Sequence, residues 1–416
     1  MADRPGPIHS TPPSHDGGGG SVERFEAIVV GGGPTGAMAA RKLARLGRHV
    51  VLIEREPLPR YKACGGGLSP KTVARLPFPI DVVPHVRLTQ IEFRLRGNAP
   101  VTWQLPMEFP FYTVMRADLD YRLVQAASAA GADVRTSEAV ESVGRVNGGF
   151  DIVTDRGSYR APYVIGADGA SSTVRHAVGV EPRCERGVAL ECEVEVADDV
   201  YARHATSALF DVEAAPDGYG WIFPKPTHLS VGLGSMKPTS RPLRPMLQQF
   251  ILRHQLASPE TVNSIVVHAH PLPLATSGER ARWDNALLAG DAAGVADGFA
   301  GEGICYSMAS GELAAEAVSR ALDGDQSALS GYEGALDQLI RQDHQQANLM
   351  GGLVRRFPDA AYRILTSLGE GKTALIPLIL GEISFGDALR RLPRLLALDR
   401  SGGRQNVGGD RSQWRI

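Results

Sequence analysis

The sequence predicts an α/β fold, α+β overall, in which a parallel-sheet domain is interrupted by an inserted antiparallel sheet and followed by a C-terminal helical segment. Three observations carry this expectation. A GxGxxG run, Gly31-Gly-Gly33-Pro-Thr-Gly36, stands between a short apolar run and a helical pattern. Two more junctions of apolar strand and acidic turn follow, Gly166-Ala-Asp168-Gly169 in mid-chain and Gly290-Asp291-Ala-Ala-Gly294 late. Between them lie short alternating runs such as Leu190-Glu-Cys-Glu-Val-Glu-Val196, which have the period of a strand.

Taken in order, Ala27-Ile-Val-Val30 suits a buried parallel strand, and residues 35–46 read as a helix with Ala39, Leu43 and Leu46 on one side. Gly47 ends that helix, and His49-Val-Val-Leu-Ile53 supplies the second strand of a Rossmann-like βαβ unit. The strand runs into Glu54, near the separation at which a carboxylate takes the ribose hydroxyls of a dinucleotide. Gly31 suits the tight turn, Gly33 the approach of backbone amides to a pyrophosphate, and Gly36 the close packing of helix on strand. A glycine-rich loop without a ligand is the competing reading.

The motif serves nicotinamide and flavin dinucleotides alike, and the later signatures favour FAD. Tyr163-Val-Ile-Gly-Ala-Asp168-Gly169 is a buried strand entering an acidic turn, with Ser171, Ser172 and Arg175 as a capped helix start. Ala286-Leu-Leu-Ala-Gly-Asp291 delivers a second carboxylate, suited to the ribityl hydroxyls of a flavin, and Ala292-Ala-Gly294 leaves room beside it. Arg116-Ala-Asp-Leu-Asp120 opens an alanine-rich helix over residues 121–130. Each feature alone also fits an ordinary strand-to-turn aspartate or a helix-capping Asp118.

In this order the motifs resemble those of FAD-dependent oxidoreductases with the aromatic-hydroxylase fold, over roughly residues 25–322. That scaffold hosts monooxygenases, halogenases and reductases, so fold alone does not name the reaction. Two further segments resemble the geranylgeranyl reductase family, which saturates carbon-carbon double bonds in prenyl chains: Lys62-Ala-Cys64-Gly65-Gly66 and Tyr219-Gly-Trp221-Ile-Phe223-Pro224. Gly290-Asp-Ala-Ala-Gly294, Gly301-Glu302-Gly303-Ile304 and Ser310-Gly311 are similar to that family's pattern, as are Arg355-Arg-Phe-Pro358 and Leu380-Gly-Glu-Ile-Ser384 in its helical tail. Flavin halogenases carry W-x-W-x-I-P where this chain has Tyr219 to Pro224.

The resemblance implies an FAD-dependent reductase acting on a geranylgeranyl group of a pigment, diphosphate or lipid, with NADPH or a reduced electron carrier as donor. Gly31, Gly33, Gly36, Glu54, Arg116, Asp168, Asp291, Gly301, Gly303 and Ile304 would bind the cofactor. Cys64 is the catalytic candidate: a thiol in a glycine-rich loop is apolar enough for an alkene and able to donate a proton, with Lys62 near enough to tune it. A small cysteine that merely fills space is the alternative. Tyr219, Trp221 and Phe223 share one face of a strand and read as the wall of an isoprenoid channel, or equally as sheet core. Glu302 reads as a first-turn carboxylate complementing a helix dipole. A flavin monooxygenase on the same scaffold and a non-catalytic flavin or isoprenoid carrier are the rival functions.

Composition narrows the setting. The 416 residues hold 44 basic and 46 acidic side chains, which leaves no nucleic-acid footprint. Residues 1–24 read as a disordered leader without the apolar core of a signal peptide. Residues 374–380 are far short of the ~20 needed to cross a bilayer. Four cysteines give no disulfide framework, which fits a cytoplasmic protein. His268 and His270 lie on one strand face without a third ligand and read as structural, not metal-binding. From Arg390 seven arginines accompany Leu389, Leu392, Leu395, Leu396 and Leu398, a pattern that suits peripheral contact with an anionic membrane or a helix packed on the body by its leucines. The expected division is a flavin domain of residues 25–80, 111–182 and 275–323, a substrate domain of 81–110 and 183–274, a helical region of 324–400 and a flexible tail of 401–416.

Overall fold

The computed structural model describes residues 22–95, 100–108, 110–180, 186–212, 214–274, 280–299, 301–338 and 342–357, with 359, 386, 387 and 390. Expectations for residues 1–21, for the Leu380 to Ser384 motif, for the arginine-rich segment and for the flexible tail lie outside the described residues. Among the described residues no helix is long and apolar enough to cross a membrane.

The chain opens with β1 (Glu23–Arg24), β2 (Ala27–Val30), α1 (Pro34–Arg45) and β3 (Val50–Glu54). Part of the expected leader is thus structured: β1 pairs in parallel with a later strand, and Arg135 holds Glu23 at 3.1 Å. α1 begins on Pro34, whose missing N–H suits a first helical position. Ala39 and Leu43 are fully buried as expected, but Leu46 caps the helix and is 45% exposed. A loop then carries β4 (Gly67–Leu68) and α2 (Pro70–Val73), followed by β5 (His85–Leu88), β6 (Gln90–Leu95), β7 (Val101–Gln104) and β8 (Phe111–Val114). α3 (Arg116–Ala129) starts five residues before the expected alanine-rich stretch, because Arg116 pairs with Asp120 one turn on, and Asp118 sits in the first turn without capping it. Next come β9 (Asp133–Thr136), β10 (Val140–Val146), β11 (Gly149–Thr154), β12 (Ser158–Ala161), β13 (Tyr163–Gly166) and α4 (Thr173–Ala177).

The middle of the chain holds β14 (Arg186–Val194), α5 (Asp198–His204), β15 (Ser207–Val212), β16 (Gly218–Pro224), β17 (Leu229–Ser235), α6 (Leu243–Arg253) and β18 (His268–Pro273). β19 (Arg282–Trp283), β20 (Ala286–Leu288), a 3-10 turn over Gly290–Ala293, α7 (Ile304–Leu322), α8 (Ser327–Leu336) and α9 (Gln342–Arg356) complete it.

Six strands form the central sheet in the order β19-β20-β13-β2-β3-β9, with β20 to β9 parallel. β2, β3, β13 and β20 are buried at every residue, as strands covered on both faces are. Because parallel strands share a direction, the turns after β2, β13 and β20 emerge at one edge of the sheet. The four-stranded sheet β1-β12-β11-β10 packs outside it.

The second large sheet has the order β18-β14-β17-β16-β15-β6-β7. It was expected to be antiparallel, and it is so at every join but one: β15 and β6 run in parallel, from Ser207 opposite Gln90 to Val212 opposite Leu95. The two strands come from different parts of the chain and enter the sheet at the same end, where Thr89 N–H donates to the Thr206 carbonyl at 2.9 Å. Residues 81–110 are divided, since β5 pairs instead with β8 in a small sheet of order β4-β8-β5. One face of the large sheet is sealed by α6 through Leu247 and Phe250. The other carries Trp221, Phe223 and Ile91 and faces the parallel-sheet edge.

Candidate active site

Between that edge and that face lies a cavity of about 1140 Å³. Every candidate site residue from the sequence lines it except Gly36. Gly36 packs beneath the Gly31 carbonyl, so closely that any Cβ would overlap it, which is the close helix-on-strand contact its position suggested. Gly31 has φ +105°, and a side chain there would strike the Ala167 carbonyl. Gly33 caps α1 and borders open space, its nearest neighbour being the Arg60 guanidinium at 3.8 Å from a built Cβ. The unpaired amides of the first turn of α1 therefore open on the cavity, a setting for phosphate.

Glu54, at the end of β3, accepts hydrogen bonds from Gly32 N–H at 2.7 Å and Glu56 N–H at 3.0 Å, with Arg60 at 3.6 Å. Arg60 continues to Asp120 at 3.2 Å, which ties the glycine turn to α3. Arg116, expected to bind the cofactor, gives a bidentate pair to Asp120 at 2.8 and 2.9 Å, with Cys64 near enough to interact with its charge. Burial lowers its pKa, but Asp120 and Cys64 outweigh burial and raise it, so the guanidinium is a fixed cation beside the thiol.

Asp168 lies on the cavity wall, but its carboxylate accepts from Ser172 Oγ at 2.5 Å and Val174 N–H at 3.1 Å. It thereby ties the turn after β13 to the start of α4, whose N-cap is Ser172, while the residue itself stays on the cavity wall. Asp291 is differently placed. Its carboxylate, in the 3-10 turn, meets His270 Nε2 at 3.5 Å and faces the cavity. Burial raises its pKa, while the His270 hydrogen bond and the charges of Lys62 and Arg116 together hold it below the usual range. β18 delivers His268 and His270 to the cavity wall, where Lys62 Nζ contacts the His270 ring at 2.7 to 3.0 Å. Burial, then Arg116, brings the Lys62 pKa down to about 8.

The Cys64 loop lies between the two sheets. Gly66 N–H points to the Cys64 sulfur at 3.4 Å, and Gly66 itself has φ +65°, pressed against the Val114 carbonyl. A Cβ on Gly65 would stand 3.0 Å from both Phe223 and the Trp221 indole nitrogen, so only glycine lets this loop approach the aromatic wall. Lys225 clamps the loop from behind: fully buried, its Nζ donates to Gly65 O at 2.6 Å and Val114 O at 2.8 Å.

Tyr219, Trp221 and Phe223 alternate along β16 and all face the cavity. Phe210 extends the wall, 5.6 Å from Tyr219 and 5.2 Å from Phe223, and Phe93 stacks on it at 5.5 Å. The wall is also a core cluster, so the two readings of these aromatics describe one surface. Opposite it, Gly301 has φ +67°, Gly303 caps α7 and Ile304 begins that helix, whose N-terminus opens on the same space. Glu302 is not a first-turn carboxylate. It precedes the helix and pairs with Lys71 on α2 at 2.8 Å, accepting also from Thr72 Oγ1 at 2.8 Å.

Sequence reasoning passed over Arg60, Tyr61, Glu191, Lys225 and the inward turn of His270. The one sign of Glu191 was its place in an alternating run.

A parallel sheet that presents a glycine turn, a helix N-terminus and a carboxylate to one cavity, roofed by a second sheet, defines an FAD-dependent oxidoreductase. The family model described as FAD binding domain matches residues 24–78 and 106–342. Over 310 residues the chain is 31% identical to geranylgeranyl diphosphate reductase of Rhodobacter capsulatus, covering 71% of this chain and 75% of that one. It is 32% identical over 316 residues to menaquinone reductase of Mycobacterium tuberculosis, covering 70% and 76%. The chain belongs to the geranylgeranyl reductase family. In fold it is similar to a geranylgeranyl bacteriochlorophyll reductase-like protein of Thermoplasma acidophilum, with TM-score 0.74 and 22% identity over 90% of this chain and all of that one. A flavin-dependent halogenase shares the fold at TM-score 0.60 and 22% identity, over 79% of this chain and 64% of that one.

Proposed function

We propose that the protein saturates carbon-carbon double bonds in a prenyl chain, such as a geranylgeranyl group, borne on a pigment, diphosphate or lipid. One observation carries the reading: the Cys64 loop and the Tyr219, Trp221 and Phe223 wall border the same cavity as the glycine turn. The names of the relatives from Rhodobacter and Mycobacterium support it.

The residues present fit FAD. The left-handed Gly31, the open first turn of α1 and Glu54 suit its dinucleotide part. Asp291 and the Gly301 to Ile304 segment suit its ribityl chain and ring edge, where the α7 N-terminus favours negative charge. Reduced FAD supplies a hydride, and NADPH or a reduced carrier protein would replenish it.

An isolated alkene accepts a hydride poorly unless a proton joins the neighbouring carbon, so the chain's own residues must bind the tail, exclude water and hold a proton. The aromatic wall offers the apolar surface that a prenyl tail binds by burial. Cys64 lines the cavity beside the Arg116 charge, in the loop whose Gly65 approaches that wall, and would there border the reacting carbons. The test is anaerobic. Dithionite-reduced holoprotein is mixed with geranylgeranyl diphosphate and with a prenylated quinone, and the expected result is flavin reoxidation with a gain of two hydrogens per double bond. Reoxidation only with dioxygen, with one oxygen gained, would instead mark a monooxygenase, and no reoxidation at all would mark a carrier.

A further inference from the structure

The large sheet carries a run of buried ionisable groups that neither cofactor binding nor tail binding uses. β14 sets Glu191 and Glu193 two residues apart, hence on one face. Glu191 is 2% exposed and lines the cavity. Tyr61, 41% exposed, donates a short hydrogen bond to Glu191 Oε2, and Ser230 Oγ donates to Oε1 at 2.9 Å. His268, opposite Glu191 in the β14 to β18 register, lies against the Tyr61 ring at 4.4 Å between centroids. The positive partners stand nearer Glu193: the Lys225 charge acts on it more strongly than on Glu191, and the His228 Nε2 lies 2.9 Å from it. Among the described residues Glu191 makes no ion pair.

Two carboxyl groups this close, buried and with their positive charge on one side, do not both ionise readily. The proton stays on the member farther from the Lys225 ammonium and the His228 ring. We propose that the Glu191 and Glu193 pair stores one proton on Glu191 and that Tyr61 links it to solvent, making this network the proton source for double-bond reduction. The inference rests on the function proposed above.

In each cycle the alkene π bond breaks and two C–H bonds form. One carbon takes the hydride supplied by reduced flavin, its neighbour takes the Glu191 proton, the alkene gains two electrons and the flavin loses two. Glu191 is left as a carboxylate and regains its proton from water by way of the Tyr61 hydroxyl. Burial, then the hydrogen bond and charge of Glu193, raise the Glu191 pKa to about 8, while His228 and Lys225 help hold Glu193 low. Cys192, between the two, remains a neutral thiol, pushed up to about 12 by burial and both carboxylates.

Infrared difference spectra and single-turnover kinetics on holoenzyme test this together. Wild type should show a protonated-carboxyl band at neutral pH that fades as pH passes about 8, and Glu191→Gln should lack it. Glu191→Gln should slow anaerobic reoxidation by geranylgeranyl diphosphate by roughly a hundredfold, with unchanged FAD content and a native circular dichroism spectrum as the control for folding. Tyr61→Phe should spare the first turnover and slow the later ones. The store is overturned if the band is missing from wild type or survives in Glu191→Gln. It is equally overturned if wild type and Glu191→Gln turn over alike. A wild type that never oxidises its flavin with any prenyl compound would overturn the proposed function instead, and the infrared band would still decide whether the proton is stored.

Discussion

Replacing Lys225 by methionine tests how the Cys64 loop is held. The side chain is fully buried, and its ammonium donates to two carbonyls, Gly65 O in the loop and Val114 O at the end of β8. Methionine keeps the length and most of the volume but removes both donors, so packing changes little. A buried acceptor left without a partner costs about 1–3 kcal/mol, and two give about 2–6 kcal/mol. Part of this is returned, because burial already disfavours the charged amine and lowers its pKa. The expected net loss is about 2–4 kcal/mol. Urea unfolding of Lys225→Met against wild type measures it, and thiol labelling resolved by mass spectrometry shows whether Cys64 becomes more accessible as the Gly65 to Gly67 turn loosens. A stability change under about 0.5 kcal/mol with unchanged labelling of Cys64 would refute the clamp.

Three further outcomes follow from the geometry. Gly31→Ala forces a side chain onto a residue at φ +105° and into the Ala167 carbonyl, so the purified variant should lose its flavin absorbance; full FAD retention would contradict the role given to this turn. Cys64→Ala should lower prenyl saturation while FAD remains bound, and unchanged turnover would remove the thiol from the chemistry. Stability should also depend on pH through Glu191. Its carboxyl is raised from 4.5 to about 8, so the folded state holds its proton more tightly, and the stability this contributes is present below about pH 4.5 and lost as pH rises towards 8. The lowered pKa of Glu193 acts in the opposite sense, and a tenfold change in proton affinity is worth only ~1.4 kcal/mol, so the net swing is a few kcal/mol at most. Melting curves of Glu191→Gln should be flatter across this range than those of wild type, and parallel curves would count against the buried acid.

What the sequence made legible was local. The glycine turn, the strand before it and the carboxylate at the end of β3 sit within one βαβ unit, where spacing alone places them. Asp168 shows both of the uses open to a strand-end aspartate: it borders the cavity, and its carboxylate also accepts from the start of α4, a link that the spacing alone did not single out. Arg116 has a partner one helical turn away, and that pair is local too, but which of its uses prevails depends on how deeply α3 is buried. Glu191 shows the limit most clearly. Alternation reveals that it shares a face with Glu193, but the side of β14 that meets the cavity is set by the packing of α6 on the other face. The parallel join of β6 and β15 unites positions more than a hundred residues apart and leaves no periodic trace in either strand.

That join bears on how the roof over the cavity can be altered. β6 with β7 and β15 with β16 come from two separate excursions of the chain, yet the hydrogen bonds from Ser207 opposite Gln90 to Val212 opposite Leu95 sew them into one fabric. Chimeras between relatives that exchange only the later excursion would set a foreign β15 against a native β6 and mismatch Phe93 with Phe210, which meet across that seam. The wall that the cavity presents to whatever it binds is therefore inherited as a pair of segments, and a successful transplant has to carry both halves of the cloth.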